Sequence, residues 1–103
     1  MTGTTANAVR GEATIRIGDR DVVLRPSFTA LCAAEAELGP LFGLVERAAA
    51  GELSLAEMAG LFWHTAGEGR GTRDAFGDAV IQGGLVNAAP ALKHLMAQIL
   101  AGR

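Results

Sequence analysis

The first regular signal along the chain is an alternation. Ala13, Ile15 and Ile17 fall on one side of an extended segment, Thr14 and Arg16 on the other, which is the period of a half-buried strand. Gly18-Asp19-Arg20-Asp21 is a turn cluster. Val22 and Leu24 then resume the alternation against Val23 and Arg25. The two runs predict a β-hairpin over residues 11–25. A lone hairpin is marginal in water, so its apolar side is expected to lie on helices.

After Pro26 the period changes. Ser27 is a good N-cap, and Phe28, Leu31, Cys32, Glu35 and Leu38 follow at helical spacing until Gly39-Pro40 stops the run. This predicts a helix over 28–38. Pro40 suits the first turn of a second helix over 41–50, with Leu41, Leu44, Val45 and Ala48 as its stripe and Gly51 at its end. Ser54-Leu55-Ala56-Glu57 has the form of a capping box and opens a third helix over 55–66. That helix is apolar round most of its circumference (Leu55, Met58, Ala59, Leu61, Phe62, Trp63), so it is expected at the centre of the core. A glycine-rich loop leads to a fourth helix over 74–82, started by Thr72 or Arg73-Asp74 and stopped by Gly83-Gly84. Asn87 is the expected cap of a last helix over 88–101, with Pro90 in its first turn and Leu92, Leu95, Met96, Ile99 and Leu100 as its stripe. Residues 1–9 carry no pattern and are expected to be a disordered tail. The fold class is α+β, mainly α: one domain over residues 10–103, an N-terminal hairpin followed by four to five short helices.

Composition adds two points. Alanine and glycine, 20 and 14 of 103 residues, make up a third of the chain. Glycines between the predicted elements keep the helices short, and alanines let them pack closely while burying little area each. The net charge is −2, and the nine Lys and Arg are scattered, so no basic face for nucleic acid is expected. No apolar run reaches the roughly 18 residues of a membrane span. The N-terminal residues lack the apolar stretch of a signal peptide and Cys32 is the only cysteine; the expected location is the cytoplasm.

Candidate chemistry is sparse. Cys32 is the nucleophile candidate, with His64 and His94 as bases. Cys32 lies on the apolar stripe of the first helix and reads as a buried structural thiol. His64 shares the polar side of its helix with Glu57, and His94 follows Lys93, so both read as solvated. One cysteine and two distant histidines form no metal-ligand cluster. The run from Gly67 to Thr72 lacks the Lys-Ser/Thr pair of a phosphate-binding loop and reads as a hinge. Glu35 and Glu37, two apart on a helix, do not face each other. The expectation is no enzyme, no metal and no cofactor. What remains is surface. Phe42 and Trp63 read first as core; any aromatic left on a rim would anchor a partner. The last helix could also dock in a groove as an amphipathic segment. Phe42, Trp63, Leu85, Leu92 and Met96 are the candidate partner contacts.

The order of short motifs resembles one family. Arg10-Gly11-Glu12-Ala13 opens the hairpin, Leu24-Arg25-Pro26-Ser27-Phe28-Thr29-Ala30-Leu31 enters the first helix, and Glu37-Leu38-Gly39 ends it. Leu53-Ser54-Leu55, a helix with Trp63, Gly84-Leu85-Val86 and Ala89-Pro90 follow. Together they are similar to the small tail proteins of gene transfer agents and related tailed phages, a family described both as tail tube proteins and as tail assembly chaperones. A small, mostly helical chain suits the chaperone description better, since tube subunits are larger and mostly β. The resemblance implies a non-enzymatic protein that binds the tape measure protein and assists tail tube proteins in assembling around it. A homo-oligomer is a separate expectation, not one the resemblance implies. A structural minor tail component that stays in the particle is the first alternative, and a small helical adaptor or regulator the second.

Overall fold

In the computed structural model, residues 13–67 and 70–101 are described; the expected tail over residues 1–9 lies outside them. Two strands and five helices follow in order: β1 (Ala13–Ile17), β2 (Arg20–Leu24), α1 (Phe28–Leu38), α2 (Leu41–Ala49), α3 (Leu55–Ala66), α4 (Arg73–Gln82) and α5 (Leu85–Ala101). The architecture is α+β and mainly helical.

The hairpin pairs Ala13 with Leu24 and Ile17 with Arg20 in antiparallel register, leaving Gly18 and Asp19 as a two-residue loop. Gly18 has φ 65° and among the described residues no non-glycine has positive φ, Asp19 included, the pattern of a type II′ turn, which matches the right-handed twist of the strands. The pleat sends Ala13, Ile15, Ile17 and Leu24 inward, where all four are buried. Helix α5 covers β1, and α3 covers β2. Arg25 N–H donates to the Thr65 carbonyl at 2.8 Å and ties the end of the hairpin to the end of α3.

Helix α3 is the central element. It packs on α1, α4 and β2 and buries Met58, Gly60, Leu61, Phe62 and Thr65. The capping box forms as its sequence requires: Glu57 N–H donates to Ser54 Oγ, and Ser54 N–H donates to the Glu57 carboxylate. Thr65, the one buried polar side chain among the described residues, returns its hydroxyl proton to the Leu61 carbonyl at 2.8 Å. The core continues through Phe76 and Val80 of α4 and Ala88, Ala91, Leu95 and Met96 of α5.

Three expectations are corrected. The last helix starts at Leu85, not 88, and Asn87 lies inside it. The Gly84 carbonyl accepts from both the Asn87 and Ala88 amides, so the first turn closes upstream of the proposed cap. Pro90 consequently sits in the second turn, inside the helix, where it cannot donate to the Val86 carbonyl and its ring crowds that group. Cys32 is exposed. Ala34 is buried and Leu31 and Leu38 are partly so; that set defines the inner face of α1, and Cys32, one residue beyond Leu31, is carried about 100° round the helix. His64 is not on a solvated stripe: its side chain is largely covered and bonded to Glu37.

Candidate partner-binding site

Two features of the α1–α3–α4 region bear on function, a closed junction and an open groove. The junction is built on Glu37, at the end of α1. Arg73, the first residue of α4, grips it with both terminal nitrogens, at 3.0 and 2.6 Å. His64 Nε2 of α3 lies 2.6 Å from Oε1; an ionised carboxylate only accepts, so Nε2 carries the proton. The hydrogen bond from Arg73 first, and that from His64 second, hold the Glu37 carboxyl at a pKa of about 2, against an ordinary 4.5. Ionised through the neutral range and held by donors from α3 and α4, this carboxylate clamps the three helices together.

Trp63 completes the junction. Its ring meets Phe76 edge to face, with centroids 5.7 Å apart. The Arg70 guanidinium lies 4.0 Å above it and Arg73 is 5.8 Å away, within cation–π range. Arg70 also donates to the Trp63 carbonyl at 2.6 Å. Gly60 permits the close approach: a Cβ there would stand 2.9 Å from Arg73 Nη2 and 3.0 Å from Leu38 Cδ2. Gly60 carries no mark in the sequence analysis, where Glu37 is weighed only against Glu35 and Arg73 only as a helix start. An isolated glycine inside a helical run signals close packing; the Glu37–Arg73 pair, thirty-six residues apart, has no local signal.

The groove lies beside this junction, between the first half of α3 and the outer face of α4. Its volume is about 530 Å³. Ala56, Ala59 and Gly77 give it a floor of small side chains, over which another backbone can approach closely. Leu55 and Ile81 flank it, both about half exposed. Asp74 and Asp78, one turn apart on α4, also line it, as does Arg73, whose guanidinium is engaged by Glu37. The arrangement suits an amphipathic helix that brings apolar residues to the floor and basic ones to the rim.

The five candidate contacts separate. Phe42 is 78% exposed and Leu85 56%, and both present apolar surface. Trp63 is half-buried under the two arginines and packs on the core. Leu92 is partly buried against the core, and Met96 is buried in it, because the inner face of α5 covers β1 and carries both. His94 is exposed. The sequence did not single out Phe28, 84% exposed, or Val86, 90% exposed; Phe28 was counted on the apolar stripe of its helix.

Comparison with curated proteins and with solved structures gives no match. The chain does match one protein family, over residues 10–102. That span takes in every element of the fold, and the chain belongs to the family described as phage tail tube protein, GTA-gp10.

Proposed function

We propose that this protein is a non-enzymatic tail assembly chaperone that acts in the cytoplasm, binds the tape measure protein and assists tail tube proteins in assembling around it. The observation that carries the reading is the α3–α4 groove, with its floor of small residues and half-exposed Leu55 and Ile81. A tape measure protein is a long helical chain whose apolar stripes need masking until the tube encloses it. A helix-sized groove on a small soluble unit performs that masking, one segment per copy. Release to the tube requires modest affinity at each groove, with avidity supplied by many copies along one chain.

The test is co-purification with the tape measure protein encoded nearby, using Gly77→Arg as the groove variant. A Cβ at Gly77 meets nothing within 4 Å, and arginine is a better helix former than glycine, so the variant keeps its fold. It is expected to bind at least ten-fold more weakly with an unchanged or raised melting temperature. Undiminished binding overturns the groove assignment. The family description itself favours a second reading, a tail tube-associated component retained in the particle. Mass spectrometry of purified particles separates the two: the chaperone is absent or far below stoichiometry.

A further inference from the structure

Helix α1 has an outward stripe with a knob at one end and a hollow at the other. Phe28, Cys32, Glu35, Ala36 and Gly39 recur at intervals of three and four, and therefore line one side of the helix. Phe28 projects from its start, 84% exposed. Cys32, Glu35, Ala36, Gly39 and Pro40 line a shallow hollow at its end, where α2 turns away by 81°. Between knob and hollow the exposed side chains are small. The stripe's only charged residue, Glu35, is already engaged, accepting from the Leu41 amide at 2.9 Å.

We infer that this face is a two-fold interface between copies of this chain, with α1 packed antiparallel on α1 and Phe28 of each copy seated in the hollow of the other. The spacing selects this occupant. The hollow centres near residues 36–37, so a two-fold axis passing beside Cys32 superposes each Phe28 on the partner's hollow. Reversal about the same point sets Glu35 of one copy level with Thr29 of the other and holds the two Glu35 carboxylates about 9 Å apart along the axis, at 1.5 Å per residue. A projecting aromatic and a matching hollow on one stripe are what a self-complementary, isologous contact requires. Helix α1 spans eleven residues, about 16 Å. Two such faces cover on the order of 1,000 Å² together, the lower limit for a specific complex. An interface at that limit belongs to the weak, transient class, so the dimer forms reversibly and is favoured by high concentration. This face is separate from the α3–α4 groove, and the inference stands without it.

Sedimentation equilibrium between about 10 µM and 1 mM tests the proposal, together with cross-linking by a short bis-maleimide, for which Cys32 is the sole thiol in the chain. The mass is expected to rise with concentration from 10.6 kDa toward twice that value, and Cys32 to couple to Cys32. Phe28→Asp and Ala36→Arg, both at exposed positions, are each expected to weaken association and cross-linking at least ten-fold without changing the thermal melt of dilute protein. A monomer at 1 mM overturns the inference. So does a dimer indifferent to both substitutions, one whose Cys32 thiols do not couple, or loss of tape measure binding by Phe28→Asp in a protein that never dimerises.

Discussion

Helices α1 and α3 are near twins in composition and opposites in environment. They have eleven and twelve residues, and each starts from a serine whose hydroxyl accepts a backbone amide. Both are rich in alanine and leucine. Yet α3 buries five residues and α1 only Ala34. The cause is the number of covering neighbours. Helix α3 has α1, α4 and β2 packed around it, whereas α1 has α3 and α2. Periodicity states which residues share a side of a helix; the packing of distant elements decides which side is covered. An apolar stripe with two sides to choose from therefore reads alike for a core helix and for a docking helix.

Truncating one phenylalanine in each helix breaks the comparison open. Phe62 is fully buried in α3 and Phe28 almost wholly exposed in α1. Phe62→Ala removes a core side chain and leaves a cavity, a loss of about 3–5 kcal/mol. That is a large part of a small domain's stability, and the melting temperature falls by roughly 15–30 °C. Phe28→Ala in dilute protein stays within about 0.5 kcal/mol of the parent. Thermal unfolding followed by circular dichroism checks both.

Trp63 tests where between these extremes a half-covered aromatic falls. Trp63→Ala loses its edge-to-face contact with Phe76 and its place beneath Arg70. A cost of about 2–3 kcal/mol follows, measured as a lower urea midpoint. An unaltered midpoint would mean that the ring serves a partner and not the fold.

The caps give a smaller contrast. Ser54 belongs to a full capping box, while Ser27 accepts from Ala30 N–H with no reciprocal glutamate. Ser54→Ala and Ser27→Ala each remove one hydroxyl acceptor, and each is expected to cost about 1 kcal/mol, again from urea midpoints. The amide of residue 54 still donates to Glu57 in the first variant, so a clearly smaller loss at Ser54 would show that this return bond holds the turn by itself.

Much of the fold was legible because its signals are local. The alternation of residues 13–24, the Ser54–Glu57 box and the stop at Gly39-Pro40 each act within a few residues and set element type and boundary directly. The start of α5 was misread because Asn87 and Pro90 are a valid opening in isolation; the Gly84 carbonyl, three residues before Asn87, closes a turn first. The exposure of Cys32 and the clamp on Glu37 were illegible for another reason. Both depend on which side of α1 meets α3, and α4 supplies Arg73 from thirty-six residues away. The candidate contacts suffered likewise: Leu92 and Met96 lie on the clean stripe of α5, and a clean stripe identifies the side β1 covers.

Glu37 joins the two helices, and its titration sharpens the comparison at the lowest energy. Its folded pKa, about 2, lies below its ordinary 4.5, so the ionised clamp favours the folded state. The contribution is complete above about pH 4.5 and is lost as pH falls toward 2. The Glu37 side chain is 41% exposed, so water screens it and the contribution is expected to stay below about 1 kcal/mol. Glu37→Gln lacks the titration. At pH 7 the variant should melt a few degrees below the parent, and the gap should close between pH 4.5 and 2. Raising the salt should narrow the gap at pH 7 as well, because the Arg73 contact is reached by ions. A gap that persists to pH 2 would assign the effect of Glu37 to packing at the end of α1, and would leave His64 and Arg73 as neighbours and not as the bond that fastens α1 to α3 and α4.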